Sequence, residues 1–421
     1  MEPFVFIHAA DLHLDRGFRG IGSIRPELGS RLAGSTFESY DRIIDLCIEH
    51  EARFLVISGD VYEDQAGNLA AQNRFIAGLE RLGNHGISSF IAHGNHDPLN
   101  RWYQRVSWPD SAHRFGGEQV EHREALHQGR LFAVVSGISY PEKAVFENLA
   151  RRFTRCSQAP FQIGVLHCSL GKSHRHENYA PCSLEDLRRA GIDYWALGHV
   201  HQPRVINESN PVIVYPGCSQ GLVIGDTGPR GCYLVKVSSA GTVDLRFIET
   251  CSFRWETIRV DIDGMATVNE FIARVESALA LAAGSGGRSL LARLEAGGRG
   301  QLHYSLAREH DREEVFSALL EKGLAMNPPV YLEKLIDSTG PPLDSAGLRR
   351  EENLLAGYLN LLDDASREGR LPAELEVLLE RLYHSSLAGG LLEPPFPKDL
   401  PGIISGAESI GIDNLLGEDL P

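Results

Sequence analysis

Asp11-Leu12-His13, Gly94-Asn95-His96-Asp97 and Gly198-His199-Val200-His201 place carboxylate, amide and imidazole groups in three short clusters along one chain. Side chains at i and i+2 of an extended segment project to the same side, so the first and last clusters are each expected to converge on metal. Gly59-Asp60 and an apolar run ending at His167 add two more donors. The set Asp11, His13, Asp60, Asn95, His167, His199 and His201 suits Mn²⁺, Fe²⁺ or Zn²⁺ better than Mg²⁺ or Ca²⁺. A pair of divalent ions fits best, roughly 3.5–4 Å apart, with Asp60 bridging and a water or hydroxide held between them for in-line attack on phosphorus. The expected division gives Asp11, His13 and His201 to one ion, and Asn95, His167 and His199 to the other. His96 directly follows a ligand and should point elsewhere, towards the scissile phosphate. There it would stabilise the transition state or protonate the leaving oxygen, with Asp97 fixing its orientation. Each signal alone is weak, because the chain has 17 histidines and most such residues are surface or core groups; the weight rests on five signals occurring together in order.

Regular elements must carry these groups to one place. Residues 4–8 and 53–58 are apolar runs that end close to Asp11 and Asp60, and they read as buried strands. Between them Phe37, Tyr40, Ile44, Cys47 and Ile48 recur at helical spacing behind Ser35-Thr36-Phe37-Glu38, a capping-box pattern that predicts a helix start. A helix over 69–83 and a strand over 87–92 would deliver the Asn95 cluster to a strand C-terminus, where open α/β sheets bind ligands. Further strands are expected at 131–135, 162–167, 194–197, 212–215, 231–237 and 243–248, with a helix near 183–190. The later strands have few helices between them, which implies closing antiparallel hairpins and a mixed sandwich.

A boundary is expected near 250–265. Beyond it, Thr267-Val268-Asn269-Glu270 caps a helix, and strand-like 288–294, strand-like 301–306, helix 311–322 and strand-like 330–335 suit a small α+β domain. Residues 345–365 and 371–386 read as leucine-striped helices, and the stretch after them, rich in Pro, Gly and acid, as irregular. The division is therefore 1–255 for the catalytic domain, 256–340 for a capping domain, 341–390 for a helical partner-binding or cap-packing segment and 391–421 for an acidic irregular tail.

Hydrophobic residues at 43% and charged residues at 23% are ordinary for a globular chain and argue against global disorder. Seven cysteines without a C-x-x-C pair fit a reducing compartment, and the start Met1-Glu2-Pro3-Phe4 lacks a signal-peptide pattern, so a cytoplasmic location without membrane attachment is expected. The net charge of −15 counts against nucleic acid as a partner. Residues 341–421, however, hold fifteen acidic and six basic side chains and so carry −9 of that −15, leaving −6 elsewhere. Two divalent ions would add +4 where a phosphate must sit.

These motifs make the chain resemble the calcineurin-like metallophosphoesterases, and among them the DNA double-strand-break repair nucleases of the SbcD and YhaO type. The matched positions are Ala10-Asp11-Leu12-His13-Leu14-Asp15, Ile57-Ser58-Gly59-Asp60-Val61, Gly94-Asn95-His96-Asp97 and Leu197-Gly198-His199-Val200-His201, within residues 4–250. The resemblance implies an α/β fold with a two-sheet sandwich flanked by helices, the ligand assignment above, Mn²⁺ as activating ion, 3′→5′ exonuclease and endonuclease chemistry on DNA, and a partner SMC-like ATPase with long coiled coils. A homodimer is a further open assembly. The chain departs from the pattern at Glu63, where better-known relatives carry histidine, and at Leu222-Val223, where more polar residues are expected.

Other candidates are read both ways. Arg16, Arg19, Arg101 and Arg105 could contact phosphates, as could Lys172, His174, Arg175 and His176, and Trp102 and Tyr103 could stack on a base; exposed or solvated loop positions account for the charged residues at least as well, and loop packing is the better reading of Trp102 and Tyr103. Cys168 is expected to pack under the site, and Glu208 and Asp226 show no role. The runner-up activity is a phosphodiesterase or phosphatase acting on a small molecule or phosphoprotein. A non-catalytic scaffold would be expected to have lost ligands, and here each expected ligand is present.

Overall fold

A computed structural model describes the chain except for residues 18–25, 64–68, 101–105, 172–178, 285–286, 343–344, 352, 371–376, 378–399 and 416–421. The chain divides into one unit of Met1–Gly298 with Leu302–Gly340, and a second of Arg299–Gln301 with Pro341–Pro421.

Two six-stranded sheets dominate the first unit. The strands are β1 (Phe4–Ala9), β2 (Phe54–Ser58), β3 (Ser88–Ala92), β4 (Ala112–Arg114), β5 (Glu121–His127), β6 (Arg130–Gly137), β7 (Gln162–His167), β8 (Tyr194–Gly198), β9 (Arg204–Asn207), β10 (Val212–Tyr215), β11 (Gly231–Val237) and β12 (Val243–Glu249). One sheet runs β12-β11-β1-β2-β3-β4 and the other β5-β6-β7-β8-β10-β9. The central strands β1 to β4 are parallel to one another, as are β6, β7, β8 and β10, while the β11–β12 hairpin pairs antiparallel on β1. Alternation along each strand sorts side chains between two cores. Phe4, Phe6, Phe54 and Val56 face inward and meet Phe132, Phe161, Ile163, Val165 and Tyr194 of the opposite sheet. Ile7, Ala9, Leu55 and Ile57 face outward, under helices α1 (Pro26–Glu49) and α2 (Leu69–Asn84). The second sheet's outer face packs Leu166, Trp195, Leu197 and Ile213 against Leu187 of α3 (Leu184–Arg189). The layers are thus helix, sheet, sheet, helix, the expected sandwich.

Helix α1 corrects one expectation. It begins at Pro26, so Ser35 and Thr36 lie inside it. Their hydroxyls are buried and donate to Leu32 O (2.8 Å) and Leu14 O (3.1 Å), the second bond fastening the helix to the loop after β1. The S-x-x-E spacing reports interior hydroxyls bonding carbonyls, which imitates a cap in sequence.

The third sheet, β13 (Phe253–Asp261), β14 (Ser289–Gly297) and β15 (Val330–Asp337), is wholly parallel, with α4 (Val268–Gly284) and α6 (Glu309–Ala325) among its connections. The capping box expected for α4 is present: Glu270 N donates to Thr267 Oγ1 (3.3 Å) and Thr267 N to Glu270 Oε2 (3.1 Å). Residues 301–306, expected as strand, instead hold the short helix α5 (His303–Leu306). Leu302 and Leu306 are buried at i and i+4, whereas Tyr304, which alternation would bury with them, is exposed.

In the second unit the single helix expected over 345–365 is two, α7 (Ser345–Leu348) and α8 (Leu354–Glu368), because Asn353 caps α8 by accepting from Ala356 N (2.8 Å). The tail expected to be irregular contains α9 (Leu400–Leu415). Ile412 of this helix packs on Leu355 and Leu359, and the Gly411 Cα leaves room for the Tyr358 ring, so apolar spacing outweighs the three glycines that suggested disorder. The helix expected at 371–386 lies, Val377 aside, outside the described residues. Among the described residues no helix is long and apolar enough to cross a membrane.

Candidate metal centre

Strands β1, β2, β3, β7 and β8 end at one edge of the sandwich, and each is followed or closed by a candidate ligand. The chain is not extended there, contrary to the same-side argument from sequence. Asp11, His13, Asp60 and His199 have φ of 50°, 44°, 52° and 99°, the left-handed region that non-glycine residues enter only at a cost. Backbone bonds hold the turns: Asp11 N to Gly59 O (3.0 Å) and His13 N to Asp60 O (3.1 Å). Two glycines are dictated by close approach. A Cβ on Gly198 would be driven into Ser58 O of the facing sheet, and one on Gly94 into the Asp60 carboxylate and the His167 ring.

Seven expected donors gather at this edge. Donor atoms of Asp11, His13 and His201 lie within 4.8 Å of one another, as do those of Asp11, Asp60 and His167. His167 Nε2 is 3.0 Å from Asn95 Oδ1 and 3.3 Å from Asp60 Oδ2. The His199 ring lies 5.2 Å from that of His167, and its backbone N–H donates to both oxygens of Asp11 (3.1 Å each).

Oxygen atoms close to Nδ1 on the far side of three rings decide what they present inward. His13 Nδ1 meets Glu63 Oε2 at 2.7 Å, His201 Nδ1 meets Asp226 Oδ1 at 3.2 Å, and His167 Nδ1 meets Ser58 O at 2.9 Å. Carbonyl and carboxylate oxygens only accept, so each Nδ1 carries its hydrogen and a neutral ring turns an Nε2 lone pair inward. His13 Nε2 and His201 Nε2 then face each other at 3.2 Å. Two lone pairs so placed need a proton or a cation between or beside them.

The same preference for positive charge appears in the titration of the site. Burial alone would lower the His167 pKa, but the Asp60 charge raises it to about 9. Burial alone would raise that of Asp60, yet the charge and hydrogen bond of His167 hold it well below the usual carboxylate range. Burial likewise works against the charge of Glu63, and the His13 hydrogen bond overcomes it to bring the carboxyl to about 2. A donor set of buried carboxylates, an amide oxygen and lone-pair imidazoles fits a divalent ion of the Mn²⁺, Fe²⁺ and Zn²⁺ group.

The expected His96–Asp97 pair is not formed. Asp97 is fully buried and accepts from Gly94 N (2.7 Å), Val61 N (2.9 Å), Asp60 N (3.2 Å) and His93 Nδ1 (2.8 Å). It braces two ligand turns and is spent on backbone amides. His96 is partly exposed at the mouth of the site, and the carboxylate beside it is Glu63, 3.5 Å from its Nδ1.

Comparison with known proteins agrees with the geometry. Residues 4–203 match the family described as calcineurin-like phosphoesterase, and residues 255–340 match the middle domain of metallophosphoesterase YhaO. The "Uncharacterized metallophosphoesterase YhaO" of Bacillus subtilis is 36% identical over 276 residues, 66% of this chain and 67% of that one. The chain belongs to the calcineurin-like phosphoesterases. As a member it is a metal-dependent phosphoester hydrolase. More distant relatives carry the name "DNA double-strand break repair protein Mre11": that of Methanopyrus kandleri is 24% identical across 95% of this chain and 86% of its own, and that of Methanococcus maripaludis 24% identical across 61% and 68%.

Three residues of this calcineurin-like site escape a reading of the sequence. Asp226, which showed no role, orients His201 and accepts from Leu222 N (3.0 Å) and Val223 N (3.3 Å). The turn there uses backbone amides, which explains why Leu222 and Val223 need not be polar. Arg230, fully buried, donates to His201 O, Gln202 Oε1, Asp226 O and Thr227 O, joining the two loops. Glu63 is the third. Arg16 donates to Glu63 (3.4 Å) and is thereby drawn away from a free phosphate-binding role. Cys168 is buried beside Cys182, and Glu208 is exposed on the β9–β10 turn. Arg19, Arg101, Trp102, Tyr103, Arg105, Lys172, His174, Arg175 and His176 lie outside the described residues.

Proposed function

We propose that this edge holds two divalent ions, Mn²⁺ by preference, and that the protein is a DNA exonuclease. Asp11, His13 and His201 are assigned to one ion, Asn95, His167 and His199 to the other, and Asp60 to both. The observation that carries the metal reading is the 3.2 Å approach of His13 Nε2 to His201 Nε2 while both Nδ1 atoms face carboxylates. The ions, when bound, supply Lewis-acid charge for the phosphate and lower the pKa of water. The protein's own part is to hold ligands rigidly on strand ends and left-handed turns, and to present His96 to the leaving oxygen as a proton donor. Asp97 acts as the brace of those turns and is withdrawn from the catalytic set.

DNA as substrate is supported by the Mre11 relatives named above. The motif resemblance further implies an SMC-like coiled-coil ATPase as partner, and residues 341–390 are the candidate docking segment for it. Seven cysteines without a disulfide fit a reducing compartment, so the cytoplasm is the proposed location. End-labelled linear duplex, single-stranded and hairpin DNA, incubated with purified protein and Mn²⁺, tests the assignment beside a generic phosphodiester. Asp60→Ala and His96→Ala are each expected to lower cleavage by about 100-fold or more. Full activity of either variant would overturn the site assignment, and cleavage of the generic diester without any of DNA would make the protein a small-molecule phosphodiesterase.

A further inference from the structure

Glu63 concentrates three donors on one oxygen. Its Oε2 lies 2.7 Å from His13 Nδ1, 3.4 Å from Arg16 and 3.5 Å from His96 Nδ1, while its backbone N donates to Asp15 Oδ1 at 2.6 Å. A surface carboxylate in an ion pair would be replaceable by water. His13 is fully buried, however, and Glu63 only about one-fifth exposed, so the carboxylate stands between the ring and solvent and is the oxygen nearest its Nδ1. We propose that Glu63 is a positioning residue for the metal centre: by accepting from Nδ1 it fixes the tautomer and plane of the His13 ring and so aims the Nε2 lone pair at the ion. Asp226 does the same for His201 from the opposite side. The pairing is not visible in the Asp11-Leu12-His13 motif itself, since the carboxylate arrives from fifty residues downstream.

The physical consequence follows from what an imidazole can do. With Nδ1 unpartnered, the ring can rotate or carry its hydrogen on Nε2, and either change removes the donor from the ion; loss of such a partner typically lowers affinity about 10- to 100-fold. The inference rests on the reading of Asp11, His13 and His201 as ligands of one ion. Its test is Mn²⁺ binding to the full chain, followed by titration calorimetry and by the electron paramagnetic resonance of free Mn²⁺, without any substrate.

Glu63→Ala is expected to weaken one binding event by about 10- to 100-fold, and Glu63→Gln, whose amide oxygen still accepts from Nδ1, to stay within about threefold of wild type. Glu63→Met, of similar size but without an acceptor, should behave as Glu63→Ala and serves if the smaller residue fails to fold, which the melting temperature in chelator reports. Wild-type affinity in both Glu63→Ala and Glu63→Met, or an equal loss in Glu63→Gln, would overturn the proposal while leaving the metal reading intact. A wild-type protein that bound no Mn²⁺ would overturn both.

Discussion

His8 shows what one residue beneath the site costs and contributes. It lies on the inward face of β1, in line with Phe4 and Phe6, with Nδ1 3.0 Å from Tyr194 OH and Nε2 3.1 Å from Ser58 Oγ. Burial pushes its pKa down to about 3, so the ring stays neutral between the sheets. The unfolded chain, with an ordinary histidine pKa near 6.5, takes up the proton first as pH falls. The stability that depends on the neutral ring is therefore full above about pH 6.5 and drains away towards pH 3, by up to about 1.4 kcal/mol per pH unit. Urea unfolding of wild type and His8→Gln between pH 7 and 4 isolates this contribution, and the wild-type stability is expected to fall more steeply by about that amount. Equal slopes would show that the proton is accommodated in the fold. Asp97 invites a second measurement at this scale. Three backbone amides and one imidazole lose their acceptor in Asp97→Ala, and destabilisation of about 3–5 kcal/mol is expected from the buried groups left behind, read as a drop in the urea midpoint.

At the scale of elements, the site depends on how closely β8 approaches β2. Gly198 ends β8 where its Cα faces Ser58 O across the sandwich, and any Cβ there must move one sheet. Gly198→Ala is expected to destabilise the fold by about 1–3 kcal/mol and to weaken Mn²⁺ binding with it, since Asp60 and His199 ride on the displaced ends; a stability change below about 0.5 kcal/mol would contradict this. The strands themselves are readable from the chain because β1, β2, β7 and β8 are buried almost throughout and read as mostly apolar runs. The candidate ligands are readable because each sits within a few residues of such a run. Asp226 and Glu63 are not, because a solitary acid carries no pattern and its imidazole partner comes from 25 or 50 residues away. Residues 35–38 and 301–306 mislead for a related reason: a capping motif and an alternation are local signals, and the packing of Thr36 on Leu14 and of Leu302 beside Leu306 decides otherwise.

The whole molecule separates chemistry from charge. Among the described residues, no member of the five apolar clusters that build the first unit lies beyond Leu335, while the second unit has its own small core of Leu355, Leu359 and Ile412. A chain ending at Gly340 is therefore expected to keep the Mn²⁺ affinity of the full protein and its unfolding free energy within about 0.5 kcal/mol. The deletion removes fifteen acidic and six basic groups, so the net charge falls from −15 to −6. Weaker repulsion between the less negative protein and the DNA polyanion should then tighten binding to duplex DNA at low salt. The gain should shrink between 0.01 and 0.15 M salt, as the Debye length contracts from about 30 Å to about 8 Å. Fluorescence anisotropy with labelled duplex across that range measures both effects. A gain that persists at 0.15 M would mean that residues 341–421 occlude the DNA path directly, and unchanged affinity at every salt would mean that their charge lies too far from the nucleic acid to be felt.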